Sequence, residues 1–457
     1  MFNYQIRVKQ LLLLIGDFLV FQLAVPIMLL LRYGKVSGQL IDQHLIPFLI
    51  VSLMWLVGFY VAGLYDLRLT REPIKFLRTY FEGVIANSLI SLAFFYMLPV
   101  FGITPRTNLI LFVVTVLLLD YLWRLAFNRL IAKTMFRTRL LLVGPPQEAA
   151  VMDALIRDAG LGFDLVAAVQ TAPGSQYDNG RIAWYASPYA IQNAVRENKI
   201  DTIVISHTPE EIPGLQDALY QTLFSSVTMV DRAGFEEIAT GRVPLDHISQ
   251  SWFLAHLREG DKAAYEGIKR ILDLILSVPI GLVIAILFPF IALVVTLSSR
   301  GPILIRQLRI GKNGKPFILY KFRTMVANAE QVGRPQFATQ NDPRVTRLGR
   351  FLRHSHLDEL PQIWNVIRGD MSLIGPRPER PEFAEQLTQQ MPFYALRHLT
   401  RPGVTGWAQV SFPYAATLED NIKKLQYDLY YIKHRSLMLD LAILLKTIRI
   451  LLKRIGQ

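Results

Sequence analysis

Two adjacent carboxylates, Asp358 and Glu359, are the residues of this chain whose types and spacing best support chemistry. Pro361 follows closely and suits the first turn of a helix, whose positive N-terminal end would favour an ionised Asp358. Neighbouring helical side chains point about 100° apart, so we expect the two carboxylates to differ in role. One can be a nucleophile and the other a ligand of Mg²⁺, which prefers a few carboxylate oxygens together with substrate phosphates. The alternative is that Asp358 only caps the helix.

A predicted hairpin offers cations for the same chemistry. Asn313 and Gly314 form a strong hairpin-turn signal between two apolar runs. Lys321 and Arg323 lie two residues apart on the second predicted strand, so we expect them to share one of its faces. Two neighbouring cations need an anion, and a diphosphate fits. A solvated basic edge strand is the alternative interpretation.

A third cluster occupies residues 401–409 (RPGVTGWAQ) and begins with Arg401. Its glycines, proline and tryptophan predict a rigid loop that carries an aromatic platform, either for a nucleobase or for the membrane interface. His354 and His356 bracket one residue, but two histidines without a further ligand are a weak metal signal. We interpret them as polar lining.

The charge of the chain is concentrated in its last third. Residues 1–298 carry 24 basic and 24 acidic groups, whereas residues 299–457 carry 25 and 12, so the last third holds the whole net charge of +13. A polyanion is therefore expected there, either phosphates, anionic lipid or nucleic acid. The absence of cysteine excludes disulfides, thiolate metal sites and a cysteine nucleophile.

The first 130 residues are predicted to be four transmembrane helices. Apolar stretches at residues 11–31, 45–65, 81–101 and 109–127 each have about 20 residues, the length that spans a bilayer. The charges inside them are few, and most of these lie near an end, where they can reach the membrane surface. Eleven basic residues flank one side of the spans and three flank the other, which predicts a cytoplasmic N-terminus and a cytoplasmic remainder after residue 130. A soluble all-helical core is the alternative.

The middle of the chain, residues 138–245, alternates short apolar strands with helical segments, which predicts a small doubly wound, Rossmann-like domain. The turn after its first strand is Gly144-Pro145-Pro146 rather than G-x-G-x-x-G. Two prolines remove backbone donors that would hold a pyrophosphate, so a structural or regulatory module is the better interpretation.

Two later segments have the pattern of helices that could contact the membrane without crossing it. The apolar run at residues 268–298 is basic at both ends and contains Pro279 and Pro289, so we expect a re-entrant helix that breaks at residues 277–279. A kinked full span is the alternative. Residues 436–457 form a basic amphipathic helix, which can lie in the headgroup layer or pack on its own domain.

The motifs in this order resemble one family. KFRTM, LDELPQIWNVIRGDMSLIGPRPE, RPGVTGWAQV and LQYDLYYIKHRS, within residues 262–457, are similar to the bacterial sugar transferases, the polyprenol-phosphate phosphoglycosyl transferases that begin surface-polysaccharide synthesis. Four preceding spans and a nucleotide-fold-like domain resemble the large, exopolysaccharide-initiating branch. The resemblance implies a membrane protein of mixed α/β fold, with a four-helix transmembrane region, a Rossmann-like middle domain and a small α/β catalytic domain carrying the re-entrant helix.

The resemblance also implies the reaction. The family moves a sugar 1-phosphate from a UDP-sugar to undecaprenyl phosphate, releases UMP and uses Mg²⁺. We therefore expect a multi-pass protein of the bacterial inner membrane with its catalytic domain on the cytoplasmic face. Its expected partners are the UDP-sugar, the lipid phosphate, the bilayer and, as an open option, a second copy of the chain, but not nucleic acid. The identity of the sugar is not readable from the sequence.

The family's functional residues fall on specific positions here. Asp358 would attack the phosphorus that bears the sugar, Glu359 would hold magnesium, and Arg353 would steady a phosphate. The expected substrate-binding set is Arg353, Lys321, Arg323, Pro376, Arg377, Pro378 and Arg401, and the membrane helix would break at Ser277 and Pro279. The chain departs from the family by inserting Val278 between that serine and proline, and by its histidines at 354 and 356. These departures leave local contacts open but do not touch the carboxylate pair.

Other classes fit the sequence less well. A nucleotide-sugar glycosyltransferase usually carries an Asp-x-Asp metal motif, which this sequence lacks. A many-span polyprenol phosphotransferase of the other topology would need about ten spans and an Asp-Asp pair. A membrane sensor without enzymatic activity would explain residues 1–245 but not the last third.

Overall fold

The computed structural model describes residues 2–66, 69, 73–97, 105–129, 137–159, 162–172, 174, 177, 180–206, 212–257, 262–298, 301–326, 344–412 and 417–455. These residues belong to two compact units, Met1–Thr240 and Gly241–Gln457.

The N-terminal unit begins with four long helices, α1 (Phe2–Tyr33), α2 (Gly38–Ala62), α3 (Pro73–Met97) and α4 (Pro105–Ala126). All four are long and apolar enough to cross a membrane. The predicted apolar stretches fall on these helices, with residues 98–101 of the third stretch outside the described residues. Helix α1 packs against α2 and α4 around an aromatic core that includes Phe21, Trp55 and Phe59.

Three of the charges inside these helices, Asp17, Asp120 and Arg124, are buried against one another. The guanidinium of Arg124 pairs with the carboxylates of Asp17 and Asp120, and it donates a further hydrogen bond to the Leu64 carbonyl at 3.0 Å. Arg124, Asp17 and Asp120 are each at most 2% exposed. Mutual pairing offsets the cost of burying these three charges inside the bundle, and their expected position near the membrane surface stays a prediction.

The same unit continues into a doubly wound domain. It comprises β1 (Thr138–Gly144), α5 (Pro146–Ala159), β2 (Phe163–Gln170), β3 (Ala183–Tyr185), α6 (Ile191–Asn198), β4 (Thr202–Ile205), α7 (Leu215–Thr222), β5 (Thr228–Asp231) and α8 (Arg232–Thr240). The strands pair in parallel in the order β3-β2-β1-β4-β5, with β1 buried on both faces by two apolar clusters. The predicted α/β architecture of the middle region is confirmed.

The C-terminal unit is built around one long apolar helix and two small strand pairs. Its elements are α9 (Gln250–His256), α10 (Ala263–Ser298), β6 (Leu304–Ile310), β7 (Pro316–Phe322), α11 (Arg347–His354), α12 (Gln362–Arg368), β8 (Ser372–Ile374), α13 (Pro381–Gln390), β9 (Gly403–Thr405), α14 (Trp407–Ser411), α15 (Leu418–His434) and α16 (Leu437–Ile455). Strands β6 and β7 form the predicted hairpin, with Asn313 in the left-handed conformation at φ 56°. Strands β8 and β9 pair in parallel.

Helix α10 is the fifth helix with the length and apolarity of a membrane span. It is continuous from Ala263 to Ser298, and Pro279 and Pro289 both lie inside it. The predicted break at Ser277 and Pro279 is therefore not an interruption of the helix, since an interior proline removes a single backbone hydrogen bond and can be absorbed as a kink. The re-entrant course stays a prediction.

The two ends of α10 contact the same unit. Near its start, Lys269 Nζ donates to Asp440 of α16 at 2.8 Å. Near its end, the Val295 carbonyl accepts from Arg323, which follows β7. The small α/β unit therefore extends along most of the helix.

Residues 241–257 belong to the C-terminal unit rather than to the middle domain. Val243 and Phe253 are buried in the core of that unit, and the Val243 amide donates to the Gln426 carbonyl at 3.1 Å. Trp407 Nε1 donates to the Gly241 carbonyl at 2.8 Å. The domain boundary thus lies at residue 240, earlier than the expected limits of 245 and 262.

We predict that a chain beginning at Gly241 unfolds at a higher temperature in detergent than one beginning at Lys262. The shorter chain loses the burial of Val243 and Phe253, each worth about 1.5–3 kcal/mol. Thermal unfolding of both chains, with a Val243→Ala, Phe253→Ala double variant of the longer chain as the length-matched control, measures the difference. Equal melting temperatures for all three chains would contradict this boundary.

Candidate active site

The carboxylate pair lies in a single 3₁₀ turn, Leu357–Glu359, between α11 and α12. His356 precedes the turn in the left-handed conformation at φ 57°, which reverses the chain after α11. Helix α12 begins only at Gln362, and Pro361 occupies its N-cap position. Asp358 therefore does not cap this helix, and its side chain is buried with 8% exposure.

Glu359 is the centre of an ion-pair cluster. Lys321 Nζ, from β7, donates to Glu359 Oε1 at 2.6 Å. The guanidinium of Arg377 donates to both carboxylate oxygens, with Nη1 at 3.2 Å from Oε2. Two cations from distant parts of the chain are thus fixed on one carboxylate.

The two neighbouring carboxyls have opposite electrostatic surroundings. Burial, with the adjacent negative charge of Glu359, raises the pKa of Asp358 to about 6. Burial alone would also raise the pKa of Glu359, but the charges of Arg377 and Lys321 hold it well below its usual range. Burial lowers the pKa of Lys321. At neutral pH both carboxyls are ionised, and Asp358 is the more basic of the two.

Asn365 joins the carboxylate turn to the strand that carries Lys321. Its side-chain Nδ2 donates to the Ile318 carbonyl at 2.7 Å, and its Oδ1 accepts from the Tyr320 amide at 3.2 Å. Because Asn365 is fully buried, these two bonds fix α12 against β7. The sequence reasoning did not single out this residue. The sequence signal that could have identified it is an asparagine among the apolar residues of the short helix α12.

Arg353 is held on the other side of the turn. Its Nε donates to Thr324 Oγ1 at 2.9 Å, and its charge is one of the influences that lower the pKa of Asp358. Gly349, one turn earlier in α11, permits this approach, because a Cβ there would lie 1.9 Å from the Thr324 carbonyl oxygen. Arg353 is therefore placed where a phosphate next to Asp358 could be bound.

The Pro-Arg-Pro motif at residues 376–378 is held in place by hydrogen bonds to its backbone carbonyls. The carbonyl of Pro376 accepts from the Gly403 amide at 2.9 Å, and that of Pro378 accepts from Arg309 at 3.0 Å. Buried Arg397 donates to the carbonyl of Arg377 at 3.0 Å and also pairs with Asp428. These contacts orient the Arg377 side chain toward Glu359. Sequence reasoning missed the supporting arginines, since ion pairs across long chain separations leave no local pattern.

The described contacts of Arg323 and Arg401 are with groups other than Glu359. Arg323 directly follows the end of β7 at Phe322 and donates to the Pro302 carbonyl at 2.6 Å. Arg401 lies 3.8 Å from Glu266 near the start of α10. In the structure Arg323 supports the end of α10, and neither guanidinium contacts Glu359 among the described contacts.

Glu359 is the candidate ligand for Mg²⁺ at this site. No group of three or more acidic or histidine side chains that could hold a metal occurs within the described parts of the chain. Glu359 could offer one oxygen beside its bonds to Lys321 and Arg377. That set fits an ion that takes most of its ligands from substrate phosphates and water, which is the usual mode of Mg²⁺. The assignment of Glu359 to magnesium stays a prediction.

Comparison with known proteins gives a consistent result. Residues 264–454 match the family model described as bacterial sugar transferase. The chain is 44% identical over 220 residues to UDP-N-acetylgalactosamine-undecaprenyl-phosphate N-acetylgalactosaminephosphotransferase of Aeromonas hydrophila, a match that covers 48% of this chain and 51% of the relative. It is 45% identical over 183 residues to UDP-glucose:undecaprenyl-phosphate glucose-1-phosphate transferase of Escherichia coli K12, covering 40% of this chain and 39% of the relative.

A protein of Caulobacter vibrioides is matched over more of its length. Its name, UDP-glucose:undecaprenyl-phosphate glucose-1-phosphate transferase, is the same as that of the Escherichia protein. The two sequences are 40% identical over 214 residues, a match that covers 79% of the Caulobacter protein and 46% of this chain. In the Aeromonas and Escherichia relatives, by contrast, the chain spans about half of the length or less.

The pKa of Asp358 predicts a pH-dependent stability. The pKa of Asp358 is about 6 in the folded protein and 3.8 ordinarily, so the folded state binds the carboxyl proton more tightly than the unfolded state does. The resulting stabilisation of the fold is fully present below about pH 4 and is lost as the pH rises through 6. Asp358→Asn should therefore raise the free energy of unfolding at pH 8 by about 2–3 kcal/mol, at about 1.4 kcal/mol per pH unit. Thermal unfolding of the full chain between pH 4 and 8 measures this difference.

Glu359→Gln is the matched variant with the opposite expectation. The pKa of Glu359 is lowered, so its stabilising contribution is present at neutral pH, and removing it leaves Lys321 and Arg377 without their counter-charge. We expect a loss of about 3 kcal/mol at pH 8. Destabilisation by both variants to the same degree would show that the two carboxyls do not differ in environment.

Proposed function

Because the chain belongs to the bacterial sugar transferase family, we propose that it transfers a sugar 1-phosphate from a UDP-sugar to undecaprenyl phosphate and releases UMP. This would be the first membrane step of exopolysaccharide or other surface-glycan synthesis. The names of the relatives give N-acetylgalactosamine phosphate in one case and glucose 1-phosphate in two others. The proposal therefore covers UDP-hexoses and UDP-N-acetylhexosamines, between which a panel of UDP-sugars would discriminate.

The observation that carries the proposal is the contrast between the two carboxyls of one buried turn. Glu359 is neutralised by Lys321 and Arg377, whereas the pKa of Asp358 is raised to about 6. A carboxylate of raised pKa that is still ionised at neutral pH is a better nucleophile than an ordinary one. Asp358 thus has the properties of the attacking group, and Glu359 those of a fixed counter-charge.

The proposed reaction has two displacement steps. In the first, a carboxylate oxygen of Asp358 forms a bond to the phosphorus that carries the sugar, the bond between that phosphorus and the oxygen of UMP breaks, and UMP leaves with the electron pair. In the second, an oxygen of undecaprenyl phosphate attacks the same phosphorus and the bond to Asp358 breaks. The products are the sugar-diphosphate lipid and the regenerated carboxylate.

The cations around the turn have separate tasks in this scheme. Lys321 and Arg377 would face the diphosphate from the Glu359 side, and Arg353 would contact phosphate oxygens from the α11 side. Mg²⁺ held by Glu359 and the substrate would, when bound, add charge neutralisation of the diphosphate. Burial of Asp358 keeps water from the acyl-phosphate until the lipid arrives.

Contacts near both ends of α10 with the same α/β unit favour a helix that enters the membrane and returns to the same side. Lys269 and Val295 contact the same α/β unit although 26 residues separate them, about 39 Å in a straight helix at about 1.5 Å per residue. A straight crossing of a hydrocarbon core of about 30 Å would leave those contacts on opposite sides. The 25 basic groups of the last third favour the cytoplasmic side, where UDP-sugars are made.

The covalent scheme predicts isotope exchange without a lipid acceptor. Enzyme with UDP-sugar and labelled UMP should form labelled UDP-sugar, with a rate that rises with pH around an apparent pKa of about 6 as Asp358 ionises. Asp358→Asn should abolish exchange, while Asp246→Asn, an exposed aspartate of the same unit, should leave it unchanged. Full transfer to lipid with no exchange would mean that the lipid phosphate attacks directly.

The proposed topology predicts the accessibility of the two ends of α10. The chain has no cysteine, so single probes at the exposed residues Ala264 and Ser298 are unambiguous. Ala264→Cys and Ser298→Cys should both react with an impermeant thiol reagent only in inside-out vesicles. Reaction of one probe in inside-out vesicles and of the other in right-side-out vesicles would establish a full span.

A further inference from the structure

An apolar cavity of about 740 Å³ lies between α10, strand β7 and helix α12. Its lining includes Gly281, Ile284 and Phe288 from α10, Tyr320 from β7, and Pro361 and Trp364 from the segment after the carboxylate turn. No charged side chain contributes to it. We refer to this cavity as the α10 groove.

The α10 groove begins beside the reacting groups. Leu360 and Pro361 line it and directly follow Glu359, while Tyr320 lines it and directly precedes Lys321. Because neighbouring strand residues point to opposite faces, the Lys321 ammonium that bonds to Glu359 lies on the other face of β7 from Tyr320, and the turn residues Glu359, Leu360 and Pro361 connect the carboxylates with the groove. An amphiphile with an anionic head at Asp358 would therefore have its apolar part in the groove.

The walls of the α10 groove are held by specific contacts. Arg270 of α10 donates to the carbonyls of Val366 and Ile367 at 2.5 and 2.7 Å, which fixes the end of α12 against the long helix. The rings of Phe288 and Phe322 lie 5.9 Å apart across the side near β7. The wall that faces outward carries apolar side chains at the surface, with Trp364 57% exposed.

We propose that the α10 groove binds the first isoprene units of the lipid acceptor and so places its phosphate against Asp358. This inference rests on the proposed function and names the binding surface for one of its substrates. An uncharged wall offers almost no hydrogen-bond partner to a nucleotide or a sugar, so the donor substrate does not belong there. The volume lies in the range of small-ligand pockets, about 300–1,000 Å³, and therefore holds a few units while the rest of the chain stays in the bilayer.

A polyprenyl chain fits better than a phospholipid. The phosphate of the acceptor must come close enough to Asp358 to react, and a phosphate monoester on a single chain can do so. A phospholipid carries two chains and a substituted phosphodiester, which would hold its phosphate away from the buried carboxylate. Occupancy by ordinary membrane lipid is the competing outcome that the experiment must separate.

Ala285→Phe tests the proposal, because Ala285 lines the groove and a ring there would fill part of it. Val283→Phe is the matched control, since Val283 is 56% exposed on the same helix and does not line the groove. In the full chain in nanodiscs, Ala285→Phe should raise the KM for undecaprenyl phosphate at least about tenfold and change UMP exchange by less than about twofold. Val283→Phe should change neither value.

The exchange reaction separates this proposal from the proposed function. If the Ala285→Phe variant exchanges UMP and keeps an unchanged KM for undecaprenyl phosphate, the proposed role of the α10 groove is refuted and the proposed function still stands. Failure of the unmodified chain both to exchange UMP and to transfer to lipid would refute the function itself.

Photo-crosslinking keeps the proposal testable if Ala285→Phe fails to fold. A polyprenyl phosphate with a diazirine on its first isoprene unit should label the peptides that contain Ile284 or Trp364 in the unmodified protein, and unlabelled undecaprenyl phosphate should compete. Labelling confined to other helices would refute the proposal. Equal labelling by a diazirine phospholipid without competition would also refute it, because the groove would then be a general lipid contact.

Discussion

The ion pairs that Glu359 makes with Lys321 and Arg377 are the interaction on which the rest of this site depends. They place a satisfied negative charge next to Asp358 within one buried turn, and that charge together with burial raises the pKa of Asp358 to about 6. They also bring two cations from separate elements to one point. One carboxylate thus brings together the cations to which the proposed reaction assigns phosphate binding, and the adjacent carboxylate is left as the more basic group.

The membrane helix is bonded directly to the elements that carry this turn. Arg270 of α10 caps the end of α12, and Asp273 of α10 accepts from the Leu373 amide of β8 at 3.1 Å. At its start the helix is tied to α16 by the buried pair of Lys269 and Asp440. Any depth that α10 takes in the bilayer is therefore transmitted to the position of Asp358, which the proposed reaction between a soluble nucleotide sugar and a membrane lipid requires.

The sequence predicted those elements whose formation depends on residues close together in the chain. The alternation of strands and helices gave the doubly wound domain, the Asn-Gly turn gave the hairpin, and the lengths of the apolar runs gave the long helices. Contacts between distant residues were not readable. Lys321 and Arg323 lie two residues apart, yet Lys321 bonds to Glu359 whereas Arg323 donates to the Pro302 carbonyl. Likewise, nothing near Asp17 indicates its pairing with Arg124, 107 residues away.

The central claim is that Asp358 carries the sugar phosphate between the two substrates. Its most direct test is the mass of the intact protein after incubation with UDP-sugar in the absence of lipid acceptor, followed by peptide mapping. The account predicts an added sugar phosphate on the peptide that contains Asp358, removed by hydroxylamine or by undecaprenyl phosphate. An unmodified protein that nevertheless forms the lipid product at full rate when acceptor is added would contradict it.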